Sequence, residues 1–138
     1  AKLYVVGSNA DDEIMALESE EKGISIRGFV SEEELNKLYD HVKMVAVPLR
    51  YGAGVKGKTI EALYYGCPVI TTSVGAEGIP QADEVMVIEN GEQEFAEKIV
   101  SLYNDFEKLE EMSMKSLDYI RTNNCIDAVW KIVEEDFK

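Results

Sequence analysis

Five short apolar runs alternate with stretches of helical periodicity through the first three-quarters of the chain, and that alternation limits the possible folds more than any other property of the sequence. The runs fall at residues 3–7, 24–27, 44–47, 68–72 and 84–88. Strands separated by amphipathic helices cannot pair as simple hairpins. Each helical crossover returns the chain to the same end of the sheet, so neighbouring strands run in parallel. The expectation is an α/β domain on a mostly parallel sheet.

The helical stretches carry their own punctuation. A first helix is predicted over residues 11–22, with Ile14 and Leu17 inward and its acids outward. A second begins at a capping box, Ser31 followed by Glu34, and lines up Leu35, Leu38 and Tyr39 on one face. A third, 58–65, stops at Gly66 as the residue beyond the cap, with Pro68 following. Asn90 and Gln93 are placed to cap a fourth, with Phe95, Ile99 and Leu102 inward. After Asp105 the strand signals stop. Residues 106–120 and 128–137 read as two more helices, broken near Asn123 and Asn124, with Tyr119, Val129, Trp130 and Val133 on apolar faces. The sheet region is thus expected over residues 1–104, with 105–138 a helical extension of the same domain. His41 falls at the end of the second helix, where its charge suits the dipole.

Length and composition narrow the class. A chain of 138 residues is one domain with a real core, and 46% hydrophobic with 30% charged residues is ordinary for a globular protein. No apolar run reaches membrane-spanning length and no signal-peptide pattern opens the chain. Cys67, Cys125 and the lone His41 fall in no metal-binding spacing, so neither zinc nor another metal is expected, and the thiols suit a reducing, cytoplasmic setting. The chain opens directly in a strand, as an α/β domain can and as a piece cut from a longer protein would.

The chemistry concentrates between Pro48 and Ile79, read as strand end, glycine-rich loop, short helix and second buried strand. Glycines let backbone approach a ligand, and the helix start behind them aims free N–H groups at an anion. Lys56 and Lys58 add point charges suited to phosphate oxygens, and Glu61 follows with lone pairs suited to a diol such as ribose. The chain as a whole carries 14 Lys and Arg against 27 Asp and Glu, a formal net charge of -13. From His41 to Ala76, however, Lys43, Arg50, Lys56 and Lys58 face only Glu61. A positive island in an acidic protein draws an anionic ligand to one place, while the bulk acidity excludes a nucleic-acid partner. The segment is read as a nucleotide diphosphate site.

Two other classes fit parts of the pattern. Residues 52–59, GAGVKGKT, match the phosphate-loop signature of NTPases, which would put Lys58 on the terminal phosphates and Thr59 on magnesium. Against this, Pro48 to Tyr51 separate the strand from the first glycine, and no later strand ends in an aspartate to hold the metal. A phosphate-accepting receiver domain needs an aspartate at the end of the third strand, where Val47 is followed by Pro48. A Rossmann-like module that only binds nucleotide remains a further alternative.

In order along the chain stand KLYVVGSN, the GFV turn at Gly28, the proline-ended strand, EALYYGCPVI and GAEGI. From about Lys2 to Tyr103 this resembles the C-terminal, donor-binding half of the family 4 retaining glycosyltransferases. The resemblance implies one Rossmann-like half of a GT-B fold, a nucleotide-sugar donor, hexose transfer to an acceptor hydroxyl, no metal, and a separate N-terminal acceptor-binding domain. It also implies that this stretch alone transfers no sugar. Glu61 matches the second glutamate of the family's pair, which holds the donor ribose. Gly54 and Val55 match the loop backbone at the pyrophosphate and sugar, and Gly7 the glycine lining the phosphate pocket. Gly28, Phe29 and Val30 match the turn beside the nucleobase. Lys56 and Lys58 resemble a subgroup with a basic loop. The family's first glutamate falls at Ala53 here, a departure that touches handling of the sugar. Tyr64 and Tyr65 read as packing residues, and Glu77 as a turn residue.

Overall fold

The computed structural model describes residues 2–6, 12–28 and 30–122. Gly7, Asp11, Phe29, the break at Asn123 and Asn124, Cys125 and the 128–137 helix with Val129, Trp130 and Val133 lie outside the described residues. The chain forms two compact units, one up to Leu38 and one from Tyr39 onward.

In the first unit, β1 (Leu3–Val6) and β2 (Ile24–Gly28) pair in parallel, with Leu3 opposite Ile24 and a register shift that sets Val6 opposite Gly28. Between them the expected long helix is a single turn, α1 (Asp12–Met15), and Leu17 is exposed instead of inward. Local side-chain bonds explain the loss. The Ser19 hydroxyl accepts from the Lys22 amide at 3.2 Å and the Glu18 carboxylate accepts from the Ile26 amide at 3.3 Å. The local Ser19 bond offers the backbone an alternative to helical pairing, and Ser19 also bridges to Ile24 at the start of β2. In α2 (Glu32–His41) the capping serine holds, its hydroxyl accepting from the Glu34 amide at 3.2 Å. The last turn of α2 belongs to the second unit.

The second unit carries a parallel sheet of β3 (Val45–Val47), β4 (Val69–Thr71) and β5 (Val87–Ile88), with β4 central. Val69 and Ile70 are fully buried, as expected for a central parallel strand covered on both faces. The crossover from β3 to β4 is α3 (Gly57–Tyr64). It ends in a Schellman motif: the Gly66 amide bonds Leu63 O, the Cys67 amide bonds Ala62 O at 3.0 Å, and Gly66 sits at φ 74°.

Three helices follow: α4 (Ala82–Val85), α5 (Glu92–Tyr103) and α6 (Phe106–Thr122). The strand expected from residue 84 therefore begins only at Val87. Val85 and Met86 are buried, but an apolar run is equally suited to a helical turn, and Met86 is the point where the backbone turns extended. Leu102, Leu109 and Met112 form a core cluster with Met44 and Val87 packed against it. Neither Asn90 nor Gln93 caps α5. Its N-cap is Gly91, while Asn90 is drawn away to bond Ser73 and Gln93 bonds Glu97 within the helix. Among the described residues no helix is long and apolar enough to cross a membrane.

Candidate nucleotide site at the carboxyl ends of β3, β4 and β5

The loop from Pro48 to Lys56 leaves the carboxyl end of β3, and threonines at the end of β4 fix its start. Thr71 Oγ1 donates to Val47 O at 2.9 Å, and Thr72 Oγ1 donates to Leu49 O. The following turn lies so close that a Cβ on Gly75 would fall 1.9 Å from Thr71 Oγ1. Asn90, just after β5, closes the same end: it accepts from the Ser73 amide at 2.9 Å and donates to Ser73 Oγ at 2.8 Å. Loops at the carboxyl ends of parallel strands are where such sheets bind ligands.

Within the loop Gly52 and Gly54 have φ of 124° and 85°, a region unfavourable for side chains. The Lys56 side chain folds back across Gly52 and its Nζ donates to Gly54 O at 2.6 Å. Lys58 is exposed at the start of α3, on a first turn with no acid. The island is thus smaller than its charge count. Lys43 lies over the Tyr103 ring, 4.1 Å from its centroid, and Arg50 pairs with Glu92 at the head of α5, so neither is directed to the glycine loop.

Two contacts escaped the sequence reading. Glu77, expected to be a turn residue, accepts the Gly54 amide on Oε1 at 3.2 Å, and its neighbour Gly78 abuts Val55. Glu61 is 5% exposed and receives a hydrogen bond on Oε2 from the Tyr39 hydroxyl at 3.2 Å. Burial, then the neighbouring Glu61 charge, push the Tyr39 hydroxyl well above its ordinary pKa, so it remains a donor. The available signal was weak: Tyr39 sits on the apolar face of α2, where a tyrosine reads as packing. Tyr65 does serve as packing, stacked on Tyr39 with centroids 5.0 Å apart, and Tyr64 meets Tyr65 edge-on.

Lys56, Lys58, Gly54, Val55 and Glu61 thus belong to one loop and helix start in the second unit. Gly28 ends β2 in the first unit at φ 62°, followed by half-buried Val30. Thr59, the magnesium ligand of the NTPase alternative, is fully buried, with no hydrogen bond to its hydroxyl among the described residues. A concave groove of about 630 Å³ lies elsewhere, between α4 and α6, lined by Glu84, Met112, Lys115 and Tyr119 among others. The loop itself is an open wall.

Comparison with known proteins agrees with this architecture. Residues 1–105 match the family model described as Glycosyl transferases group 1. A Klebsiella pneumoniae protein described as an uncharacterized 44.6 kDa protein in the cps region is 33% identical over 94 residues, covering 67% of this chain and 24% of that protein. The chain therefore spans about a quarter of that relative's length. Among solved structures, TarM superposes with a TM-score of 0.74 at 19% identity, over 99% of this chain and 28% of its own. WaaG, a glycosyltransferase involved in lipopolysaccharide biosynthesis, gives a TM-score of 0.77 at 17% identity, over 97% of this chain and 37% of its own. These likenesses establish the fold as that of GT-B glycosyltransferases, parallel sheets with flanking helices, in keeping with the Rossmann-like expectation.

Proposed function

This chain belongs to the group 1 glycosyl transferases, and from that premise we propose that it is the donor-binding part of a retaining enzyme that moves a hexose from a nucleoside-diphosphate sugar to an acceptor hydroxyl. The observation that carries the reading is the glycine loop in front of α3, with Lys58 exposed at its helix start and the Glu61 carboxylate one turn behind. Cleaving the donor leaves a nucleoside diphosphate, and developing negative charge on a leaving group is stabilised by preorganised N–H donors and cations. Lys58, the loop amides and the first turn of α3 supply that chemistry, with Lys56 bracing the loop from behind. Glu61 accepts the ribose hydroxyls. Gly7 is assigned to the phosphates, and Gly28, Phe29 and Val30 to the base, by their place in the sequence alone.

No metal is required on this reading, because the diphosphate charge is met by lysines and amides. The acceptor is held by a part of the protein beyond this chain, so the chain alone does not turn over. A donor bound to one open wall loses the positioning that can supply about 7–11 kcal/mol of the barrier.

The test is calorimetry of a panel of nucleoside diphosphates and their sugars, followed by nucleotide release with simple acceptors. Expected results are diphosphate-dependent binding that survives EDTA, transfer by the complete protein with retained anomeric configuration, and none by this chain alone. Magnesium-dependent ATP hydrolysis lost in Thr59→Ala would overturn the reading.

A further inference from the structure

Tyr39 is held at three points, more than an ordinary packing residue on a helix face. Its ring stacks on Tyr65 with planes 14° apart. Its backbone carbonyl accepts the Cys67 thiol at 3.4 Å. Its hydroxyl donates to Glu61 Oε2 at 3.2 Å, with both residues buried. Tyr65, the C-cap of α3, stands one helical turn after Glu61, and Cys67 just beyond it. The three contacts therefore fix Tyr39 against the same short helix that carries the carboxylate.

A carboxylate this far from water has two needs. Its buried oxygens need hydrogen-bond donors, and its plane must be fixed if it is to meet two adjacent hydroxyls at once. The Tyr39 hydroxyl meets both. It gives a buried acceptor a donor, and it fixes the rotation of the carboxylate about the last side-chain bond. We infer that Tyr39 is the positioning residue that aims Glu61 at a vicinal diol, and that it thereby sets the preference for ribonucleotide over dideoxyribonucleotide donors. The inference rests on the ribose reading of Glu61 given above. Tyr39 touches no reacting atom; it acts through Glu61.

Tyr39→Phe removes the hydroxyl and keeps the ring stack. In the protein expressed from its complete reading frame, calorimetry compares uridine, adenosine and guanosine diphosphates with their 2′,3′-dideoxy counterparts, and pyrophosphate serves as a probe that carries no sugar. The parent is expected to prefer the ribose form of whichever nucleotide binds. In Tyr39→Phe that preference should narrow about tenfold, the size of one charge-assisted hydrogen bond. Pyrophosphate affinity should not change. In Glu61→Gln, adding Tyr39→Phe should narrow the preference no further, because the two residues act as one unit.

An unchanged preference in Tyr39→Phe overturns the inference and leaves the ribose reading of Glu61 intact. So does an equal loss for pyrophosphate, which would mark a packing role. A parent with no ribose preference sinks the Glu61 reading and this inference with it. Should phenylalanine disturb folding, 3-fluorotyrosine at position 39 keeps the shape and donates more strongly. The preference should then widen, and no change would count against the inference.

Discussion

Glu77 Oε1 accepts the backbone amide of Gly54 at 3.2 Å, joining the turn after β4 to the glycine loop after β3 across 23 residues of sequence. A carboxylate oxygen therefore occupies a loop N–H of the kind that a phosphate oxygen would use. The bond orders the loop in the free protein, and its charge opposes an incoming diphosphate.

Replacing that charge while keeping an acceptor should favour the ligand. Glu77→Gln is expected to tighten pyrophosphate binding about two- to fivefold, the scale of an exposed charge interaction. The gain should shrink as salt is added. Calorimetry at low and high ionic strength checks it, and weaker binding would mean that the carboxylate assists the ligand.

The two loop lysines should separate. Lys58 is exposed at the helix start, whereas Lys56 braces Gly54 from within the loop. Lys58→Ala should weaken nucleoside diphosphate binding about tenfold or more, leave nucleoside binding alone and leave the thermal midpoint unchanged. Lys56→Ala should weaken diphosphate binding and also raise amide exchange at Gly52 and Gly54. Equal loss for nucleoside and diphosphate in either variant would indicate damage to the fold instead.

Gly66 tests the packing behind the site. It sits at φ 74° with Leu117 of α6 only 3.0 Å from where a Cβ would lie. Gly66→Ala combines left-handed strain with overpacking and should cost about 1–3 kcal/mol of stability in denaturant unfolding. A neutral result would show that α6 yields freely at this contact.

Alkaline pH should expose the buried thiol. Burial, then the Asp40 charge, push Cys67 up to about 11 from an ordinary value near 9.0. Between those values the native state keeps a proton that the unfolded chain gives up, so stability is complete below pH ~9 and falls as pH rises through the folded value. Cys67→Ala should flatten that part of the alkaline limb in stability curves. At pH 8 the native thiol should also resist iodoacetamide, because its thiolate is scarce.

The sheet and the loop were legible in the sequence because their signals are local. The proline after Val47, the glycines at 52 and 54, and Gly66 with Pro68 beyond it each act through the φ and ψ of one or two residues. The first helix was not legible, since Ser19 drew the Lys22 amide to its own hydroxyl and bridged to Ile24, contacts that periodicity does not register. Asn90 failed as a cap for a related reason: Ser73, 17 residues away, offered both a donor and an acceptor in reach.

Sequence alone determined the α/β class, the glycine loop with its lysines, and the placing of Glu61 one turn into α3. Only the tertiary structure decided what those side chains face. Coulomb and hydrogen-bond energies depend on distances of a few ångströms between residues far apart in the chain, and spacing within the chain does not encode them. Lys43 turned to Tyr103, Arg50 to Glu92, and Glu77 to the Gly54 amide. Tyr39 and Glu61 are 22 residues apart and met because α2 and α3 present them to the same buried point.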